Sequence, residues 1–207
     1  MSDFARLAGQ QCPAQEALAM ELAVELGAGD GVAAARRSLG LLARGLPDVD
    51  EPLAQLEALR AVAARHLRPR RDGRHLLPEV VGDGGGHPVG IAVALVAVAR
   101  RRGWGAALVG HGLVLYVAHR AMAPTAVVDP ARPEALIDPR TLGADLAWRC
   151  AHEATGVVLR HVTATAERSG DLTRGLGASA LLLALPVDEA SRSAQAQVHS
   201  RLLSRLN

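Results

Sequence analysis

Over residues 88–102 the chain is apolar almost all round, with Ile91, Leu95 and Val98 on one helical side and Ala92, Val93 and Ala99 beside them. A helix without a polar face has no surface it can present to water, so this stretch predicts a helix buried on most of its circumference. The rest of the chain must supply its cover. Directly after it, past Gly103-Trp104-Gly105, the texture changes to short β-prone runs at 107–109, 113–117, 126–128 and 136–137. Gly110-His111-Gly112, residues 118–125 and the proline-bounded turn 130–133 separate these runs, as between neighbouring antiparallel strands. A buried helix leading into a small sheet is the expected centre.

On the N-terminal side, three stripes at helical spacing precede this centre: Leu18, Leu22 and Leu26; Ala35, Leu39, Leu42 and Leu46; Leu53, Leu56, Leu59, Ala63 and Leu67. They predict a helical unit over roughly residues 12–68. The basic stretch 68–74 and the glycine run 82–86 both read as loops, the first a solvated linker and the second a flexible loop without the lysine or hydroxyl of a phosphate loop. On the C-terminal side Cys150, Ala154, Val157, Val158, His161 and Val162 mark a helix that breaks at Ser169-Gly170-Asp171. Leu172, Leu176, Ala180 and Leu183 line a second one, which Pro186 ends, and Val198, Leu202, Leu203 and Leu206 line a third. Residues 156–186 then form a helical hairpin about as long as one tetratricopeptide unit. The expected organisation is predominantly helical α+β: N-terminal helices over 1–76, a helix-plus-sheet core over 77–145, and C-terminal helices over 146–207.

Composition removes several function classes. The 207 residues contain one Phe, one Tyr and two Trp, so the core is aliphatic, and stacking platforms for single-stranded nucleic acid are not expected. All 23 basic residues are arginine, which excludes a lysine nucleophile, a Schiff base and a phosphate-loop lysine. With the alanine excess, this usage is that of a GC-rich bacterial coding sequence. A net charge of +2 with interspersed acids does not suggest a nucleic-acid partner. No apolar run reaches the length of a membrane helix, and the two cysteines, Cys12 and Cys150, make no disulfide framework. A cytoplasmic protein is expected, without membrane partners.

The order buried helix, strand, Gly-His-Gly, strand, Asp-Pro is the pattern that carries chemistry. A thiol at the N-terminus of a buried helix is acidified by that terminus and by a neighbouring imidazole, while a carboxylate fixes the imidazole tautomer. The chain resembles the transglutaminase-like superfamily in this order, and within it the SirB-type branch. The stretch from His87-Pro88-Val89-Gly90-Ile91 to Val98-Ala99-Arg100-Arg101-Arg102-Gly103 is similar to that branch's core helix. Val109-Gly110-His111-Gly112-Leu113-Val114 is similar to its histidine strand and Val128-Asp129-Pro130 to its aspartate strand. Arg160-His161, Gly170-Asp171-Leu172, Arg174-Gly175-Leu176 and Leu182-Leu183-Ala184-Leu185-Pro186 look like the signature of its C-terminal hairpin. The resemblance implies N-terminal helices, a papain-like or transglutaminase-like core and a tetratricopeptide-like hairpin. The chain departs from the branch at Gly112, which replaces an aromatic, and at Arg132-Pro133-Glu134, which replaces the usual Phe and glycines.

In that register the position of the nucleophilic cysteine falls on Pro88, which offers no nucleophile. The resemblance therefore implies a non-catalytic protein that binds a peptide, a protein partner or a small ligand in the former active-site cleft, with His87, Pro88, Gly110 and Gly112 as candidate ligand-binding residues. A rival reading uses His111 and Asp129, with Asp138 competing for the carboxylate role, as an acid–base pair for acyl transfer, hydrolysis or rearrangement in a biosynthetic pathway. The same pair has a structural reading as a simple hydrogen bond, and His87 has one as a solvated loop residue. A third reading is an assembly or scaffolding module, and homo-oligomerisation is left open. Cys150, His152 and His161 have poor spacing for a shared metal. Cys150 is expected in the core on its apolar stripe, Cys12 is expected to be an exposed spectator, and no metal or cofactor is expected.

Overall fold

The computed structural model describes residues 2–186 and 189–205, so Leu206 of the last stripe lies outside the described residues. In chain order the elements are helices α1 (Asp3–Ala8), α2 (Gln15–Glu25), α3 (Val32–Arg44) and α4 (Pro52–His66), then strand β1 (Arg68–Pro69), helix α5 (Leu77–Gly82), strand β2 (Gly85–Gly86) and helix α6 (Pro88–Arg101). Strands β3 (Ala106–His111), β4 (Val114–His119), β5 (Val127–Val128), β6 (Leu136–Ile137) and β7 (Ala147–Trp148) follow. Helices α7 (Ala151–Ser169), α8 (Leu172–Leu183) and α9 (Glu189–Ser204) close the chain. The fold is predominantly helical α+β with a small antiparallel sheet, as the apolar patterning predicts. None of its helices, among the described residues, is long and apolar enough to cross a membrane.

Helix α6 is the axis of the molecule: every residue from Val89 to Ala99 is buried. It packs against α2, α3, α4, α5 and α7 and against β3 and β4. Its alanines let so many neighbours approach, and the core they form runs continuously from Phe4 to Leu185 across all three chain segments. The sheet has the order β6-β5-β4-β3-β7, with β7 an edge strand beyond the four that the sequence suggests. Ala106, Leu108, Leu115, Val117 and Val128 belong to the α6 core, whereas Val109, Tyr116, Ala118 and Val127 form a second cluster covered by Ile137, Leu142 and Leu146. Strand alternation thus divides the sheet into an α6 face and a far face.

Three local features differ from the sequence reading. The two expected loops are clasped together. Arg68–Pro69 pairs in parallel with Gly85–Gly86, and residues 77–82 between them are helical because Pro78 suits a first helical turn and Glu79 receives the Leu76 N–H. Helix α8 buries Gly175, Ala178, Ser179 and Leu182 rather than the Leu172–Leu176–Ala180–Leu183 stripe. The reason is close packing: a Cβ on Gly175 would stand 3.4 Å from the Ala166 Cβ and 3.8 Å from the Leu202 methyls, so the small-residue face is the one that fits between α7 and α9. Finally, Cys150 is exposed and caps α7, a correction taken up below.

Candidate functional site

Helix α6 starts at Pro88, and the residue before it, His87, caps it: the Val89 N–H donates to His87 Nδ1 at 3.4 Å. Proline is comfortable at this position because the N–H it lacks has no partner inside a helix. The helix end therefore carries neither a nucleophilic side chain at Pro88 nor a free first-turn donor at Val89. His87 itself is half-buried rather than solvated. Its backbone N–H donates to the Arg74 carbonyl at 2.8 Å, and through this bond the β1–β2 clasp lays residues 70–75 over the helix start.

That placement brings His75 against His87, with ring centroids 4.6 Å apart, and His161 of α7 completes the group at 4.4 Å from His87 and 6.0 Å from His75. One ligand nitrogen from each of the three lies within 4.8 Å of the others, the single such cluster of metal-type ligands among the described residues. His75 is 4% exposed and its Nε2 has no hydrogen-bond partner. Burial, then the charges of His87, His161, Arg174 and Arg168, push its pKa down to about 3. Burial, then His161 and Arg168, push His87 down to about 4, with Asp72 opposing. His161 Nε2 lies 3.0 Å from the Leu113 carbonyl and donates to it, which leaves Nδ1 without the proton in the neutral ring. On the other flank of His75, Glu79 receives both Arg74, at 3.0 Å, and Arg174 of α8, at 2.9 Å. The sequence offers His87 both as a candidate ligand-binding residue and as a solvated loop residue, sets His161 beside Cys150 and His152, and does not mark His75. The Arg-His dipeptide just before a helix gives no periodic signal.

His111 and its proposed carboxylates are not joined. Asp129 accepts the Ala131 N–H at 2.9 Å and Arg132 Nε at 3.0 Å, closing its own turn. Asp138 accepts the Arg140 N–H and guanidinium; that side-chain bond, then the backbone one, holds its carboxyl below the usual range. No hydrogen bond or ion pair links either aspartate to His111. The reason is topological: β4 lies between β3 and β5, so Tyr116 stands between the two side chains, its ring 6.2 Å from that of His111. Alternation places His111 with Val109 on the far face of the sheet, away from the α6 side. Burial, then the charge of Asp129, raises the Tyr116 pKa, partly offset by Arg132.

Gly110 and Gly112 flank His111. Gly110 is buried under Val114, and Gly112 begins the two-residue turn between β3 and β4 with φ +51°. A glycine in this first position is what such a hairpin turn demands, so the aromatic of the similar family could not stand here without strain. Beside Gly112 is a cavity of about 330 Å³ between the hairpin turn, α7 and α9, whose lining includes Arg149, His152, Glu153, Arg160 and Gln195. Arg149 reaches Glu153 at 3.3 Å, whereas Arg160 forms no ion pair among the described residues. Burial opposes ionisation of Glu153, but the Cys150 N–H and thiol and the Arg149 guanidinium outweigh it and hold the carboxyl below its usual range.

The expectation that Cys150 belongs to the core is corrected. It precedes the first turn of α7, its Sγ accepts the Glu153 N–H at 3.4 Å, and Glu153 returns to the Cys150 N–H at 2.8 Å, a reciprocal capping arrangement that keeps the thiol at the surface. Cys12 is exposed as well. His152 is buried, with Nε2 unpartnered, and does not meet Cys150 and His161 in a common ligand set. Comparison with protein-family models, with curated proteins and with solved structures finds no significant match to this chain.

Proposed function

We propose that this protein is a transglutaminase-like binding protein without thiol chemistry, which holds a peptide or small ligand bearing an anionic group in the cavity beside Gly112. The observation that carries the reading is Pro88 at the first position of the buried helix, where a thiol enzyme of similar order needs its nucleophile, with His87 occupying the Val89 donor. The cavity supports the ligand class. Among the described residues, Arg149 and Arg160 line it against one acid, Glu153, and only Arg149 is matched to that acid. A half-buried guanidinium without an ion-pair partner among the described residues favours a carboxylate or another planar anion. Gly112 leaves the mouth open, since a Cβ there would meet nothing within 4 Å.

The acid–base reading has less behind it, because Asp129 and Asp138 are engaged by Arg132 and Arg140 rather than by His111. The test is calorimetric titration with a panel of short peptides and small carboxylic acids, run beside hydrolysis and acyl-transfer assays on the same panel. Saturable binding without turnover is expected, weakened at least about tenfold by Arg160→Ala, as for loss of a charge-assisted bond, and unchanged by His111→Ala. Turnover abolished by His111→Ala would overturn the reading.

A further inference from the structure

We propose that His75, His87 and His161 form a binding site for one zinc-class divalent transition-metal ion. The inference goes beyond the ligand-binding reading and does not depend on it, because none of the three histidines lines the arginine cavity.

The first argument is convergence. A tetrahedral zinc ion with Zn–N bonds of about 2.1 Å separates its ligand nitrogens by about 3.4 Å and the ring centroids of its histidines by about 5 Å. The three centroid separations, 4.6, 6.0 and 4.4 Å, bracket that value, and the rings, with interplanar angles of 25°, 20° and 41°, must turn about χ2 to aim their in-plane lone pairs at one point. The nitrogens lie within 4.8 Å of one another, so the widest pair closes by roughly 1.4 Å on metal binding. His87 and His161 are half-buried, and their χ rotations supply that movement while buried His75 stays in place.

The second argument is the unsatisfied atom. His75 Nε2 is enclosed at 4% residue exposure without any hydrogen-bond partner. Buried polar nitrogens are nearly always paired, and an unpartnered imidazole nitrogen on a ring stacked beside two other imidazoles has a metal ion as a natural partner. The outer contacts also fit. The Leu113 carbonyl fixes the tautomer of His161 so that Nδ1 keeps its lone pair, the usual device for orienting a metal histidine. Ligation by His87 releases its cap on Val89, because metal on Nδ1 consumes the accepting lone pair and metal on Nε2 leaves a proton on Nδ1. That cap is long, at 3.4 Å, and little is lost.

The donor set selects the metal. Three imidazoles without thiolate or carboxylate suit Zn(II), Co(II), Ni(II) or Cu(II) and not Mg(II) or Ca(II). Three protein ligands leave a fourth position for water or an exogenous ligand, the open arrangement of reactive rather than purely structural zinc.

The experiment uses the full chain freed of metal with a chelator and titrated with Zn(II) by calorimetry and with Co(II) by visible absorption, in the absence of any organic ligand. The expected result is one ion per chain with micromolar or tighter affinity, an intense visible Co(II) band of tetrahedral type, and no response to Mg(II). His87→Ala and His161→Ala, both at half-buried positions and checked for folding by circular dichroism, each weaken binding at least tenfold and abolish the Co(II) band. His111→Ala leaves both unchanged. Absence of stoichiometric Zn(II) binding in the wild type, or binding that survives both variants, overturns the site. Because no organic ligand is present, failure here is separate from failure of the Arg160 cavity to bind its anion.

Discussion

His119 Nε2 lies 2.9 Å from Gln55 Oε1, a bond buried between the sheet and α4 that joins two chain segments across the core. Its direction follows from the neighbours. The Ala121 N–H donates to His119 Nδ1 at 3.2 Å, so the neutral ring carries its proton on Nε2 and donates to Gln55. The Gln55 amide then donates to the Val49 carbonyl at 3.0 Å and the Asp50 carbonyl at 3.4 Å, pinning the turn before α4. Burial lowers the His119 pKa and so keeps the ring in this neutral form.

Gln55→Leu removes the acceptor and leaves the buried His119 N–H, and the part-buried Val49 carbonyl, without this partner. The expected cost is about 1–3 kcal/mol, the penalty of an unsatisfied buried group rather than the net worth of one hydrogen bond. Urea unfolding of the variant should show a lower midpoint with an unchanged slope. A midpoint equal to that of the wild type would mean that water or a side-chain shift satisfies both groups.

The stability of the metal-free protein should fall steeply in mild acid. Burial holds His75 down to about 3 from an ordinary 6.5. Between those values the unfolded chain binds a proton that the folded chain refuses, so stability rises with pH. The contribution is fully present above pH 6.5 and is lost as the pH falls toward 3. At about 1.4 kcal/mol per pKa unit the loss is on the order of 2–5 kcal/mol. His87, held at about 4, acts in the same direction over a narrower window. Denaturant unfolding in the presence of chelator, at several pH values across that interval, measures the slope; His75→Gln should flatten it, and a flat wild-type profile would contradict the buried trio.

The fold was legible where periodicity is local. The unbroken apolar run predicts α6, and the three leucine stripes predict α2, α3 and α4, because each depends only on residues a turn apart. The face of α8 was not, since Gly175 and Ser179 are buried for the fit between two other helices, which leucine spacing does not register. The site was less legible for the same reason. His75, His87 and His161 meet only because the Arg74 carbonyl receives the His87 N–H and α7 returns to the hairpin turn, contacts with no trace in sequence spacing. His111 and Asp129 are similar in order to a catalytic pair, yet β4 inserts Tyr116 between them, and strand order cannot be read from the run of motifs.

Gly90→Ala tests how tightly the loop bearing His75 is pressed on α6. Helix propensity alone predicts stabilisation by about 1 kcal/mol, since glycine is the poorer helix former. A Cβ at this position, however, would stand 2.6 Å from the His75 carbonyl oxygen and 2.7 Å from Val80 Cγ2, one of them backbone and both buried. The clash decides the sign, and a net loss of roughly 1–3 kcal/mol is expected. Gly82→Ala is the control: a Cβ there meets nothing within 4 Å. It should be neutral or gain up to about 1 kcal/mol through the unfolded chain. Thermal melts of the two variants should move apart; a stabilised Gly90→Ala would show that the loop carrying His75 yields.

Cys150 distinguishes a cap from a core residue by a substitution of one atom. Were the thiol packed in the α7 stripe, Cys150→Ser would bury an unpaired hydroxyl and destabilise the protein by about 1–3 kcal/mol. As the residue before the first turn, with its Sγ receiving the Glu153 N–H at 3.4 Å, it should respond in the opposite sense. Serine is among the strongest residues at this position and its oxygen is a better acceptor than sulfur, so Cys150→Ser should hold or raise stability by up to about 1 kcal/mol. Cys150→Ala, which removes the acceptor, should lower it by about 0.5–2 kcal/mol. The native thiol should also react with a maleimide at folded-state rates alongside exposed Cys12, and two fast equivalents per chain are the expected count. A single fast equivalent combined with a destabilised serine variant would return Cys150 to the core.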